Sequence, residues 1–183
     1  MHGSNNFAFI DGANLHITYE YMDWKLDYQK LRCYLTKKYS VTVAYYFIGN
    51  TGENDLYTHL DVCNYTVKFK SPSSFTEEEE GCPYCKKVIT PEIHTHKSDR
   101  DSFMTLRIIE EGSQSLYDKA VLITSDGDFD EVVKWLLRKD KLQIVLAPCR
   151  DGCSRLLKDI TKGQIAFIDD LREELELIEP AKI

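Results

Sequence analysis

The 183-residue sequence contains no apolar run approaching the roughly 18 residues that a membrane span requires, which excludes an integral helical membrane protein. Its start, Met1-His2-Gly3-Ser4-Asn5-Asn6, lacks the basic and apolar regions of a secretory leader, so a cytoplasmic location is expected. In that setting the six cysteines read as reduced thiols or metal ligands rather than as a disulfide framework. Positive charge is also short. Lys and Arg number 23 against 30 Asp and Glu, and the net charge of −7 excludes a surface that grips nucleic acid everywhere. A nuclease is not excluded, because a site built of carboxylates is itself negative. There is no G-x-G-x-x-G after the first strand, no G-x-x-x-x-G-K-[ST] and no G-x-S-x-G. Dinucleotide-binding, P-loop and nucleophile-elbow chemistries are therefore unsupported. No internal repeat is visible.

What is present is a core. At 43% hydrophobic residues the chain is not a disordered one, and its length suits a single domain over residues 1–183 carrying a small insertion. Phe7-Ala8-Phe9-Ile10 is a buried strand stopped by Asp11-Gly12-Ala13-Asn14, which reads as a polar loop at its tip. Tyr28, Leu31, Tyr34, Leu35 and Tyr39 form a helical stripe with Asp27 as N-cap. Strands are expected over 41–48, 65–70, 120–124, 143–147 and 165–168, and helices near 54–60, 101–111 and 170–177. In the 101–111 helix the stripe runs through Phe103, Leu106 and Ile109, with Met104 and Ile108 beside it. After the 120–124 strand, Phe129, Val132, Val133, Leu136 and Leu137 follow helical spacing. Strands apolar on both faces and alternating with helices imply an α/β, three-layer fold around a mostly parallel sheet.

Residues 71–97 break this alternation and read as an inserted β-rich segment. Its Glu77–Glu80 run is a solvated loop. Cys82-Pro83-Tyr84-Cys85 has the form of a metal knuckle, and His94 and His96, two apart, share one face if extended. Together these four fit a structural zinc site. Two alternatives stand beside it: Cys149 and Cys153 completing a four-cysteine site, or plain thiols. Cys33 and Cys63 read as ordinary thiols.

Function in an open parallel sheet collects at the carboxyl ends of its strands. Asp11 stands at one such tip, Asp126 and Asp128 at another, and the pair Asp99 and Asp101 opens the 101–111 helix. Singly, each acid has an ordinary reading as a cap or a turn residue. Gathered together they would repel one another unless a hard cation lay between them, and oxygen ligands of this kind suit Mg²⁺ or Mn²⁺. An EF-hand reading of Asp126-Gly127-Asp128-Phe129-Asp130 fails, because its sixth position is Glu131 and its twelfth Leu137. A phosphatase with an aspartyl nucleophile would want an acid at Ala13.

Phe9-Ile10-Asp11-Gly12-Ala13-Asn14-Leu15, the acid-led helix at Asp99–Asp101, and Thr124-Ser125-Asp126-Gly127-Asp128-Phe129 resemble the NYN family. That is the PIN-like nuclease group that includes the LabA-like proteins. The resemblance covers roughly residues 6 to 70 and 97 to 170. It implies a PIN-like (Rossmann-like) fold and a ribonuclease whose acids gather around Mg²⁺ or Mn²⁺. Carried over, Asp11, Asp126 and Asp128 match the motif acids and Asn14 the motif asparagine. Where the family shows K-G-x-D-V, Lys97-Ser98-Asp99-Arg100-Asp101 offers two acids. Asp101 is preferred because it sets Met104 and Leu106 in hydrophobic register.

Asn14 could orient a water or the scissile phosphate, and Ser125 or Thr124 could bond an acid or a phosphate oxygen. RNA contacts are expected from His16, Tyr19, Lys97, Arg100, Arg150 and Arg155, since aromatic and cationic groups together suit single strands. A binding module for RNA or protein without cleavage, and a small-molecule phosphoesterase, are the rival readings.

Overall fold

The structure, a computed structural model, describes residues 4–20, 22–49, 54–70 and 98–178. The inserted segment and its Cys82, Cys85, His94 and His96 lie outside these residues, as does Lys97. Within α1 and at the start of α4, the side chains of Tyr19, Asp99 and Arg100 are also outside them.

Six strands form one sheet: β1 (Asn6–Asp11), β2 (Val41–Gly49), β3 (Thr66–Lys70), β4 (Ala120–Ile123), β5 (Leu142–Ala147) and β6 (Ile165–Phe167). Every pairing is parallel, and the spatial order is β3-β2-β1-β4-β5-β6. The chain thus winds outward from β1 in one direction, then returns to begin again at β4 in the other. The gap between the tips of β1 and β4 is the switch point of an open α/β sheet.

Seven helices are described: α1 (Gly12–Glu20), α2 (Tyr28–Tyr39), α3 (Asn54–Val62), α4 (Ser98–Ser113), α5 (Asp130–Arg138), α6 (Arg155–Thr161) and α7 (Arg172–Leu175). Strand residues alternate between two cores, as the two-residue period of a strand requires. Ala8, Ile10, Val121, Ile123 and Leu146 pack with α1, α2, α3 and α7. Phe7, Phe9, Leu122, Val145 and Ala147 face α4, α5 and α6. Both faces of the central strands are covered, which is why their sequences are continuously apolar.

Three local expectations are corrected. Asp11-Gly12-Ala13-Asn14 is not a loop, because α1 begins at Gly12, directly after β1. The residue there must be glycine: a Cβ would lie 2.3 Å from Tyr46 Cε1 and 2.8 Å from the Phe47 carbonyl oxygen. A helix at Arg155–Thr161 had no counterpart in the sequence reading. In α4 the buried apolar side chains are Met104 and Ile108, while Leu106 is 63% exposed. The stripe was therefore set one step off. α2 matches its expectation, and Asp27 Oδ1 accepts the Lys30 N–H at 3.0 Å as its N-cap.

Candidate metal centre

The tips of β1 and β4 lie side by side, and Ile10 is the register partner of Ile123. Asp11 ends β1 and is only 9% exposed. Its Oδ1 accepts the backbone N–H of Asn14 at 3.0 Å, so the carboxylate satisfies an orphan donor in the first turn of α1. Its Oδ2 accepts the hydroxyl of the fully buried Thr124 at 3.3 Å. The same Thr124 Oγ1 accepts the Asp126 N–H at 3.1 Å, so one hydroxyl joins the two tips.

A second tie crosses the gap. Asn14 Oδ1 accepts both the backbone N–H and the hydroxyl of Ser125, each at 2.9 Å. Asn14 is therefore a clasp between α1 and the β4 tip, and the Ser125 hydroxyl is spent within the protein. The chain then turns through Gly127–Phe129, a single 3-10 turn. Asp126 Oδ1 caps it by accepting the Asp128 N–H at 3.1 Å. Gly127 lies against Ser154, whose Oγ would be 2.7 Å from a Cβ there, and the Ser154 N–H donates to the Ser125 carbonyl at 2.9 Å. The segment after β5 thus supports this turn from behind.

The third arm is α4. Met104 and Ile108 seat it in the core, and the Tyr45 hydroxyl of β2 donates to Glu111 Oε1 at 3.0 Å. Glu111 is buried and also pairs with Arg107 at 3.4 Å. Burial, together with the charge of Glu111, pushes the Tyr45 phenol up and keeps it a donor. So anchored, α4 carries Asp101 to the β4 turn. One carboxylate oxygen from each of Asp101, Asp126 and Asp128 lies within 4.8 Å of the others. Asp101 and Asp126 are half-buried and Asp128 is exposed. Three carboxylates converging on one point form an oxygen-only donor set that matches a hard divalent cation.

The other expected residues divide. Arg155 is 94% exposed and touches Asp159 only at 3.8 Å, so it is open to a ligand. Arg150 is engaged: its guanidinium pairs with Asp170 at 2.6 Å and stands 4.1 Å from the Phe167 ring centroid. His16 is exposed on α1. Cys153 is buried, and that burial pushes its thiol up. Cys149 accepts the Gly152 N–H at 3.3 Å. Sequence reasoning missed the double role of Thr124 and the anchors Glu111 and Ser154. The sequence reading allowed Thr124 a bond to an acid, but only the pairing of β1 with β4 sets its hydroxyl between the Asp11 carboxylate and the Asp126 N–H.

A family model for the NYN domain matches residues 7–167. The chain belongs to the NYN domain family. The low amplitude and bright protein LabA of Synechococcus elongatus is 26% identical over 177 residues, covering 93% of this chain and 87% of that protein. The crystal structure of a protein of unknown function from Vibrio parahaemolyticus superimposes with a TM-score of 0.67 at 21% identity, covering 97% of this chain and all of that one. This likeness shows the α/β fold. The NYN domain falls in the PIN-like nuclease superfamily, whose members use divalent metals, and the acid trio sits at the switch point of that fold. Among the described residues no helix is long and apolar enough to cross a membrane.

Proposed function

We propose that this NYN protein is a metal-dependent endoribonuclease acting on single-stranded RNA. The observation that carries the reading is the convergence of Asp101 with Asp126 and Asp128, from segments separated by β4. Asp101, Asp126 and Asp128 hold Mg²⁺ or Mn²⁺ in this proposal. Asp11 contributes from the neighbouring β1 tip, tied to the β4 tip through Thr124. The bound ion would lower the pKa of its water and neutralise charge growing on the non-bridging phosphate oxygens.

The chain's own residues then hold this site in shape. The Thr124 hydroxyl and the Asn14 carboxamide lock the β4 turn to α1, so the acids need not reorganise on binding. Asn14 is thereby a positioning residue through its Oδ1, while its Nδ2 is the group that would donate to a water or the scissile phosphate. Arg155, exposed beside the turn, is the cation placed to meet a phosphate, with His16 on the α1 side. Arg150 serves its own loop instead. Lys97 and Arg100 remain candidates from the sequence, as does Asp99 for the metal. The zinc reading of Cys82, Cys85, His94 and His96 rests on the sequence as well.

Incubating the purified protein with generic single-stranded RNA and DNA in Mn²⁺, Mg²⁺ or EDTA tests the proposal. Cleavage of RNA in Mn²⁺ or Mg²⁺, abolished by EDTA, is expected. RNA left intact under all three conditions would refute it.

A further inference from the structure

The helix α2 differs in charge from the rest of the molecule. Within a chain carrying seven excess negative charges, its twelve residues include Lys30, Arg32, Lys37 and Lys38 and not one acid. Arg32 is buried and spends its guanidinium on the backbone carbonyls of Asn64, Val41 and Thr42. The three lysines instead share a cleft of about 520 Å³ between α2 and α7, whose opposite wall is Glu174 and Leu175. Lys30 and Lys37 stand two helical turns apart, about 10 Å along the axis, with Tyr34 between them.

The positive charge in this cleft is not cancelled locally. Lys30 Nζ donates at 2.8 Å to the Glu176 backbone carbonyl, which is neutral. Lys37 and Lys38 are exposed and make no hydrogen bond or ion pair with any described residue. Three ammonium groups therefore face one carboxylate. Lys119, Lys134 and Arg172 are each paired with an acid, whereas Lys139 and Lys162 are exposed outside this cleft. Tyr34 is held edge-on to Tyr39, with ring centroids 5.8 Å apart, so the aromatic between the lysines is fixed in place. Burial pushes its phenol up, so its hydroxyl remains a neutral donor.

We infer that the α2/α7 cleft is an auxiliary binding site for the sugar–phosphate backbone of single-stranded RNA, separate from the acid trio. A row of lysines about 10 Å long with an interleaved aromatic matches a strand of alternating phosphates and bases. The volume suits a nucleotide-sized segment. Its concave form favours a strand over a flat anionic membrane surface. The inference rests on the ribonuclease proposal for its choice of RNA, and it supplies what the trio cannot, an attraction for a polyanion. The lysines position substrate and take no part in the chemistry.

The test is equilibrium binding of a fluorescein-labelled oligouridylate of about twelve nucleotides, followed by anisotropy in EDTA over a series of salt concentrations. Replacing Lys37 and Lys38 together (Lys37→Gln with Lys38→Gln) removes two phosphate-neutralising charges. The slope of log K against log salt should become shallower by about 1.4, with affinity reduced. Cys33 lines the same cleft and is exposed, so saturating oligouridylate should slow its alkylation, read by peptide mass spectrometry. A wild-type slope in the double variant, or an unchanged Cys33 alkylation rate, overturns the inference. So does preference for phosphatidylserine vesicles over RNA. Binding with the expected slopes in a protein that never cleaves RNA would leave the cleft standing and remove the ribonuclease reading. The two can therefore fail separately.

Discussion

Two neighbouring strands end at the same edge of the sheet with an aspartate near each tip, and those aspartates meet opposite conditions. At the tip of β1 the chain enters α1 without a loop, and Asp11 is buried with one oxygen on the Asn14 N–H and the other on the Thr124 hydroxyl. At the tip of β4 the chain leaves through an open turn, so Asp126 is half-buried and Asp128 exposed, and Asp101 approaches from α4. The tight tip gives a rigid carboxylate whose hydrogen bonds hold two elements together. The loose tip gives less buried carboxylates whose oxygens gather within 4.8 Å, where an ion can reach them. One residue type thus serves as both frame and donor, and the local backbone decides which role dominates.

The largest effect is expected at the loose tip. Asp126→Asn or Asp128→Asn should reduce metal-dependent RNA cleavage by more than about 100-fold. Each is a partly exposed, isosteric change, so unfolding free energy should move by only about 0.5 kcal/mol. Wild-type cleavage by either variant would break the contrast drawn between the tips.

Changes at the tight tip should separate framework from binding. Asp11→Ala removes an N-cap acceptor, costing about 1 kcal/mol, and orphans the buried Thr124 hydroxyl, costing about 1–3 kcal/mol more. A fall of about 2–4 kcal/mol in chemical denaturation is expected. Asp11→Asn keeps a cap acceptor but removes the charge, so the Mn²⁺ concentration for half-maximal cleavage should rise about tenfold with a smaller loss of stability. An unchanged Mn²⁺ requirement would assign Asp11 to the framework alone.

The smallest effect on cleavage is expected from the segment that leads into α4 and so delivers Asp101. Elemental analysis of protein purified without added metal should find about one zinc per chain, lost in Cys82→Ser with Cys85→Ser. Cleavage should weaken without disappearing, because a zinc closed by four protein ligands has no place for the attacking water. Zinc absent from the wild type, or retained in that variant, would show the ligand assignment wrong.

Most of the fold was legible because its strands are apolar on both faces, a pattern that survives without tertiary knowledge. Asp11 at β1 and Asp126 and Asp128 after β4 were found from strand tips alone. α1 was not legible: Asp-Gly spells a turn locally, and the glycine is there for the close approach of Tyr46, which only the folded sheet reveals. Asp101 was favoured for a hydrophobic register that included Leu106, and Leu106 proves to be exposed. The residue stands in the trio, but that argument for it does not hold. The clasp of Asn14 on Ser125 spans 111 residues, beyond the reach of any spacing rule.

The all-parallel sheet bears on when the protein acquires its site. Among the described residues no pair of strands is joined by a hairpin, and the contact between Asp11 and Thr124 closes a separation of 113 residues. Long-range parallel pairing forms late, since chain closure must precede the contacts that reward it. A chain still emerging from the ribosome, with β1 to β3 and α4 made and β4 not yet released, has Asp11 and Asp101 but lacks Asp126 and Asp128. Synthesis order therefore sets when the three carboxylates can first meet. The proposed site is completed only when β4, the first strand of the second half, slots in beside β1.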